Sequence, residues 1–334
     1  MRIFFIFSFL TALLPAEFKA GAAIDYSKLA FYPKRWLDQK IDSEMYPWVG
    51  KHVAILTISD GLDPKAMEGF VSRLDDGWSI YQDFTGKSPR LFKHLAGKAT
   101  ICALPQNDLS CGYGCGYLGS TGIEMTHFYK DHLPRFQKNN KAIPHVYYYE
   151  MGRNFYTYGH KHSVFTTGFA VFMRYLCIDS LKGVDHDVRT REVINRAIEV
   201  YTESDLKFLN TFTNSMGGHE KGNRLKITPS DQNVMYASAM LKLWKEHGDD
   251  WLKSFYQHLE KSPAIPGQSK RGARSQCLTW YLACSLAAKK DLAATFVGQW
   301  RLPLTEQEKA ALEQVNWSDE KLTVAKIMSE KLTF

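Results

Sequence analysis

Residues 141–177 read KAIPHVYYYEMGRNFYTYGHKHSVFTTGFAVFMRYLC, and the rest of the chain is placed around them. Two helix-like segments are joined by a short histidine-rich turn. In the first, Tyr149 and Arg153 stand four residues apart, so on a helix they share a face with Glu150 at its edge. The second opens with Thr166-Thr167-Gly168-Phe169-Ala170. A glutamate beside an i, i+4 pair, followed by a second helix, is the pattern on which the functional reading turns.

Upstream, VGKHVAILTIS at 49–59 is a β-branched apolar run ended by Asp60-Gly61, which predicts a buried strand and a turn. Pro64 to Leu74 carries Met67, Phe70, Val71 and Leu74 near helical spacing, with Asp63 as the cap and Pro64 at the first helical position. ATICAL at 99–104 predicts a second strand, bounded by Pro105. CGYGCGYLGSTGIEM at 111–125 holds five glycines in fifteen residues. That density suits a tight edge strand beside a cleft, or a glycine-rich turn held by a disulfide. It is not a dinucleotide or P-loop fingerprint. Residues 24–48, aromatic and charged without a clean period, read as an arm lying on the domain.

Downstream, the pattern turns helical. Arg191 to Asn210 predicts a long helix. Ser230–Gly248 and Asp250–Lys261 predict a helical hairpin with Gly248 at its joint, and Ser275–Lys289 another helix. Thr305-x-x-Glu308 is a capping box, and Asp319–Leu332 is a last amphipathic segment. The fold class expected is α+β (mixed α/β). A small N-terminal sheet over 24–140 precedes pivot helices and a helical part over 141–334, with one cleft between the two parts.

Arg2, the apolar run Ile3–Leu14 and the small residues Ala20-Gly21-Ala22-Ala23 read together as a signal peptide over 1–23, which implies a secreted or periplasmic protein. The run is too short for a comfortable membrane span, and no later segment approaches one. Leaving out Arg2, Glu17 and Lys19 lowers the net charge from +7 to +6. Lys and Arg are interspersed with acids, which argues against nucleic acid as a partner and leaves a weak attraction to acidic surfaces. Six cysteines in an oxidising compartment permit up to three disulfides. Cys277 and Cys284 lie about 10 Å apart along one helix and cannot bridge each other. Cys111 and Cys115 lack the second pair that zinc ligation needs, so a disulfide or buried thiols are expected there.

The central stretch resembles the gluzincin-type secreted zinc metallopeptidases, in which His-Glu-x-x-His on one helix gives two zinc ligands and a general base, and a glutamate on the next helix gives the third ligand. On that pattern Tyr149 and Arg153 stand at the two histidine positions and Glu150 at the base. Thr167 stands in place of the third-ligand glutamate, with Gly168 and Ala170 matching. The resemblance implies that the glycine-rich segment is the edge strand that holds substrate by strand addition. The candidate ligand-binding residues are Tyr149, Arg153, Thr167 and Glu124. The resemblance also implies that the ordinary zinc is absent. A phenol must lose a proton with a pKa near 10 to ligate, threonine offers no charge, and a guanidinium repels a dication.

Two readings of Arg153 follow: an ion pair with Glu150 in a core helix, or a cation at the cleft floor that takes a carboxylate or other anion. The function expected is a metallopeptidase-like protein without zinc that binds a peptide, carbohydrate or anionic small ligand. The alternative is an active secreted hydrolase with atypical metal ligands or a metal-free acid/base pair based on Glu150. Atypical ligands would come from His145, His160 and His162. A carboxylate pair would be Glu124 with Glu150. Tyr147, Tyr148, Tyr149, Phe155, Tyr156 and Tyr158 are the aromatic set that could stack on sugar, or simply core.

Overall fold

Alternation along short strands builds the frame. In the computed structural model, which describes residues 19–26, 29–38, 44–106, 109–158, 163–212, 232–265 and 270–332, β1 (Ile24–Asp25), β2 (Glu44–Val49), β3 (Val53–Thr57), β4 (His94–Leu95), β5 (Lys98–Ala103), β6 (Gly114–Gly116) and β7 (Ile123–Met125) form one sheet. Its order is β1-β2-β3-β5-β7-β6, with β4 paired to β5. β3, β5 and β7 run parallel, while β6 lies antiparallel to β7 at the edge. The fold is α+β. Residues 1–18 of the signal peptide expected over 1–23, together with His160 and His162, lie outside the described residues.

Side chains of a strand alternate between faces, and here the two faces have different cores. Val53, Ile55, Ala99, Ile101, Ala103, Ile123 and Met125 point to the helices and join the main core. Leu56, Cys102 and Leu104 point the other way, where Tyr26, Ala30 and Met45 of the N-terminal arm cover them. The arm therefore does more than lie on the domain, because β1 and β2 extend its sheet. The apolar run 49–59 splits into the end of β2, a turn, and β3. Asp75 makes that turn by accepting bonds from the Lys51, His52 and Val53 N–H groups at 2.6–3.0 Å.

Helix α2 (Pro64–Thr85) starts where expected, with Asp63 accepting from the Lys65 N–H, and runs three turns past Leu74 to a left-handed Gly86. Its apolar stripe, Phe70, Leu74, Trp78 and Tyr81, packs in the main core. Short α1 (Pro33–Asp38) and α3 (Leu133–Lys138) accompany the sheet. The pivot segments form α4 (His145–Phe155) and α5 (Ser163–Ser180). The long helix expected over 191–210 is instead α6 (Val188–Thr202) and a short α7 (Phe208–Phe212). Arg301 explains the break: its guanidinium donates to the freed Tyr201, Thr202 and Leu206 carbonyls at 2.9–3.2 Å. The two expected helices are present in α8 (Gln232–Glu260) as two helical arms that meet at a kink at Gly248, where φ is 82°. Then come α9 (Lys270–Ala288), α10 (Glu306–Glu313) with both halves of its capping box, and α11 (Val324–Lys331). The main core is continuous from Trp48 to Leu332 and spans residue 140.

α4 is held unusually close to its neighbours. A methyl placed on Gly152 would lie 2.7 Å from Ala170 Cα and 2.8 Å from the Tyr81 hydroxyl, and one on Gly168 would lie 2.6 Å from the Tyr236 ring. Small residues at 152, 168 and 170 thus set the spacing of α4, α5 and α8. Glycine to alanine inside a helix is ordinarily stabilising by about 1 kcal/mol. Gly152→Ala should reverse that sign and destabilise by roughly 1–3 kcal/mol through overpacking, read as a lower midpoint in urea unfolding.

Candidate functional site

Glu150 sits on the α4 face turned towards the sheet edge. There β6 presents Gly114 and Gly116, which pair with Met125 and Ile123 and so face the helix side. Because neither has a side chain, the strand settles directly on the carboxylate. A methyl on Gly114 would fall 3.0 Å from Glu150 Oε1, and one on Gly116 would fall 2.9 Å from Oε2. Glu150 is left 5% exposed. Its pKa is pushed up to about 7 by burial, against the opposing pull of the Arg153 charge and the Gly116 backbone N–H.

One turn on, Tyr149, Arg153 and Thr167 meet at the junction of α4 and α5, all three half-buried. The Arg153 guanidinium donates to Thr167 Oγ1 at 3.1 Å, and the Tyr149 hydroxyl is in hydrogen-bond contact with the same threonine. Three of the four positions of the sequence pattern thus meet, while the Glu150 carboxylate faces β6. The ion pair offered for Glu150 and Arg153 is not formed. Their charges interact, but the guanidinium spans to α5, and no carboxylate of the described residues sits within ion-pair distance of it.

The donor set does not fit a zinc ion. Burial is the largest effect on the Tyr149 phenol and raises its pKa, so it remains protonated and a poor ligand. Arg153 brings a permanent cation to the same spot. Among the described residues no group of three or more His, Cys, Asp or Glu side chains could hold a metal.

Glu124 belongs elsewhere. It alternates with Ile123 and Met125 on β7 and so faces the opposite side of the sheet from Glu150, which removes the two-carboxylate pairing. There Tyr26 Oη and the Phe31 N–H donate to its Oε1 at 2.6 and 2.7 Å, so the carboxylate fastens the N-terminal arm. Burial raises its pKa, against the bonds from Tyr26 and Phe31. His145 also points away. It lies 3.9 Å from Asp185 and 4.0 Å from Asp187, and burial, then the Arg174 charge, lowers its pKa to about 4. Tyr147, Tyr148, Phe155, Tyr156 and Tyr158 are at most 3% exposed, which makes them core and not a platform for a sugar ring.

Two further residues, which the sequence reading does not single out, position this region. Asn154 Nδ2 donates to the Tyr117 and Gly122 carbonyls at 2.9 and 3.2 Å, clamping the β6–β7 loop to α4. An amide four residues after Glu150, on the same helix face, was the available signal. His132 bridges the Tyr113 and Tyr147 hydroxyls at 2.8 and 2.9 Å and so ties the loop before β6 to α4. A disulfide joins Cys111 to Cys115 across that same loop, while Cys102, Cys177, Cys277 and Cys284 are buried thiols.

A pKa raised from 4.5 to about 7 favours the protonated, folded form. Its contribution is complete below pH 4.5 and is lost as pH rises through 7, a change on the order of 3 kcal/mol. Melting profiles of the protein and of Glu150→Gln between pH 5 and 8 should therefore diverge, with the parent losing stability relative to the variant as pH rises. Parallel profiles would mean that Glu150 titrates normally.

No protein-family model matches the chain, and no curated protein sequence matches it. Two solved structures are similar in fold. One is a functionally unknown conserved protein from Bacillus anthracis str. Ames and the other is a mutant of such a protein from the same source. Each is 12% identical with a TM-score of 0.54. The mutant's alignment covers 87% of this chain and 56% of that one, the other's 85% and 54%, so the chain spans little more than half the length of either.

Proposed function

We propose that this protein is a zinc-free, gluzincin-like binding protein that receives an extended peptide beside β6 and holds a peptide carboxylate on Arg153. The observation that carries the reading is the Arg153–Thr167 contact: a guanidinium oriented by a neutral hydroxyl, without a carboxylate partner among the described residues. Such a cation retains its capacity for a bidentate, charge-assisted bond to an incoming carboxylate. β6 supports the peptide part, because it ends the sheet order and, among the described residues, has a strand neighbour on one side alone. The leader-like residues 1–23 and the Cys111–Cys115 disulfide support a secreted or periplasmic setting.

Hydrolysis by Glu150 is the second reading, and the pKa of about 7 is what favours it, since a general base works best near the ambient pH. Against it stands the strand lying over the carboxylate, which leaves little room for a water and a scissile bond.

Fluorescence anisotropy with labelled peptides, free or amidated at the C-terminus, tests the first reading. The free acid should bind more tightly, and Arg153→Gln should weaken it by about tenfold or more while Thr167→Val gives a smaller loss. Equal binding of acid and amide, or one tightly held zinc per chain in metal analysis, overturns it. Peptide cleavage abolished by Glu150→Gln would establish the second.

A further inference from the structure

Just beyond α2 the chain reads GKSPRLFKHLAGK over 86–98, with Lys87, Arg90, Lys93 and Lys98 and no acid. It is zipped to the segment Tyr117–Gly122, which carries no charged residue. The Arg90 N–H donates to the Gly119 carbonyl at 3.3 Å and the Thr121 N–H to the Arg90 carbonyl at 2.9 Å. The Phe92 N–H donates to Thr121 Oγ1 at 2.9 Å and the Lys93 N–H to the Thr121 carbonyl at 3.1 Å. The two loops therefore form one platform.

Its apolar residues face solvent. Leu91 is 54% exposed, Phe92 48% and Leu118 40%. Phe92 stands edge-on to Tyr117 with centroids 4.9 Å apart, and Tyr117 stacks on Phe31 at 3.6 Å, so the tips rest on an aromatic footing. Arg90 Nε donates to Ser120 and Lys98 to the Lys51 carbonyl, contacts with neutral groups that leave both positive charges in place, and the Lys93 ammonium lies 5.0 Å from the Phe92 ring centre. Lys87 pairs with Glu260 and is discounted. Neighbouring apolar tips ringed by cations are the chemistry of an interfacial anchor, in which side chains enter the acyl boundary and lysine and arginine stay with anionic headgroups.

We propose that the paired loops 90–93 and 117–122 dock the protein on an anionic lipid surface. An acidic polypeptide fits less well. Leu91 and Phe92 line none of the described cavities, the cavity that Arg90 and Leu118 do line also presents Glu260, an acid that disfavours an acidic chain, and the backbone groups of the two loops are largely taken up by each other. No described helix is long and apolar enough to cross a membrane, so the association is peripheral. It uses none of the groups assigned to the Arg153 site and stands or falls separately.

Co-sedimentation of the full chain with vesicles decides it. Vesicles containing roughly 30% phosphatidylserine should bind about tenfold or more tightly than phosphatidylcholine alone, with the difference collapsing in high salt. Leu91→Asp/Phe92→Asp, and separately Arg90→Gln/Lys98→Gln, should each weaken binding about tenfold. Circular dichroism checks folding, and Leu118→Asp on the other loop carries the same expectation should the first variant not fold. The apolar run Ile3–Leu14 is present in every protein compared, so the differences report on the loops. Binding that ignores lipid charge, binding unchanged in the variants, or a preference for soluble polyglutamate over vesicles overturns the proposal.

Discussion

The depth at which α4 is seated is the constraint on which the rest depends. Gly152 admits Ala170 and the Tyr81 hydroxyl on one side, and Gly114 and Gly116 admit the α4 surface on the other. A helix pressed this closely between α5 and a sheet edge brings Tyr149 and Arg153 to Thr167 and drives Glu150 under the strand. Interiors packed to crystal-like density transmit such choices, because there is no slack to absorb a methyl group. The site is a consequence of helix spacing before it is a consequence of charge.

Charge then decides what the site can hold. A buried carboxylate needs a compensating partner or must stay protonated, and a guanidinium beside it would ordinarily supply the partner. Here the two groups settle their costs separately. Glu150 resists ionisation until about neutral pH, and half-buried Arg153 spans to the Thr167 hydroxyl without a carboxylate among the described residues. Below neutral pH, a protonated acid below and a guanidinium above make the junction of α4 and α5 net positive, which is the polarity a carboxylate ligand requires and a metal dication does not tolerate.

Much of the architecture was legible because local signals agreed with the global fold. Asp63-Pro64 started α2, Thr305-x-x-Glu308 capped α10, and the β-branched run 53–57 became a strand with alternate residues in two cores. What was not legible depended on partners distant in the chain. The break after α6 is stabilised by Arg301, about a hundred residues away, and the turn before β3 by Asp75. At the site, the i, i+4 logic placed Tyr149, Glu150 and Arg153 correctly along α4. It could not say which side of the sheet Glu124 would face, because that follows from the register of β7. Nor could it foresee that glycines suited to a substrate edge would also lie against the Glu150 carboxylate.

Gly114 and Gly116 carry one more implication. Side-chain direction in a strand has a period of two, so a slip of β6 by one residue against β7 would turn its bare face outward and drive the Cys115 side chain into Glu150. The helix surface has no room for it, and the Cys111–Cys115 bridge and the Asn154 clamp hold both ends of the short strand. The glycine pair thus works as a key cut for a single register. A three-residue strand too short to define its own alignment by hydrogen bonds is indexed by the helix beneath it.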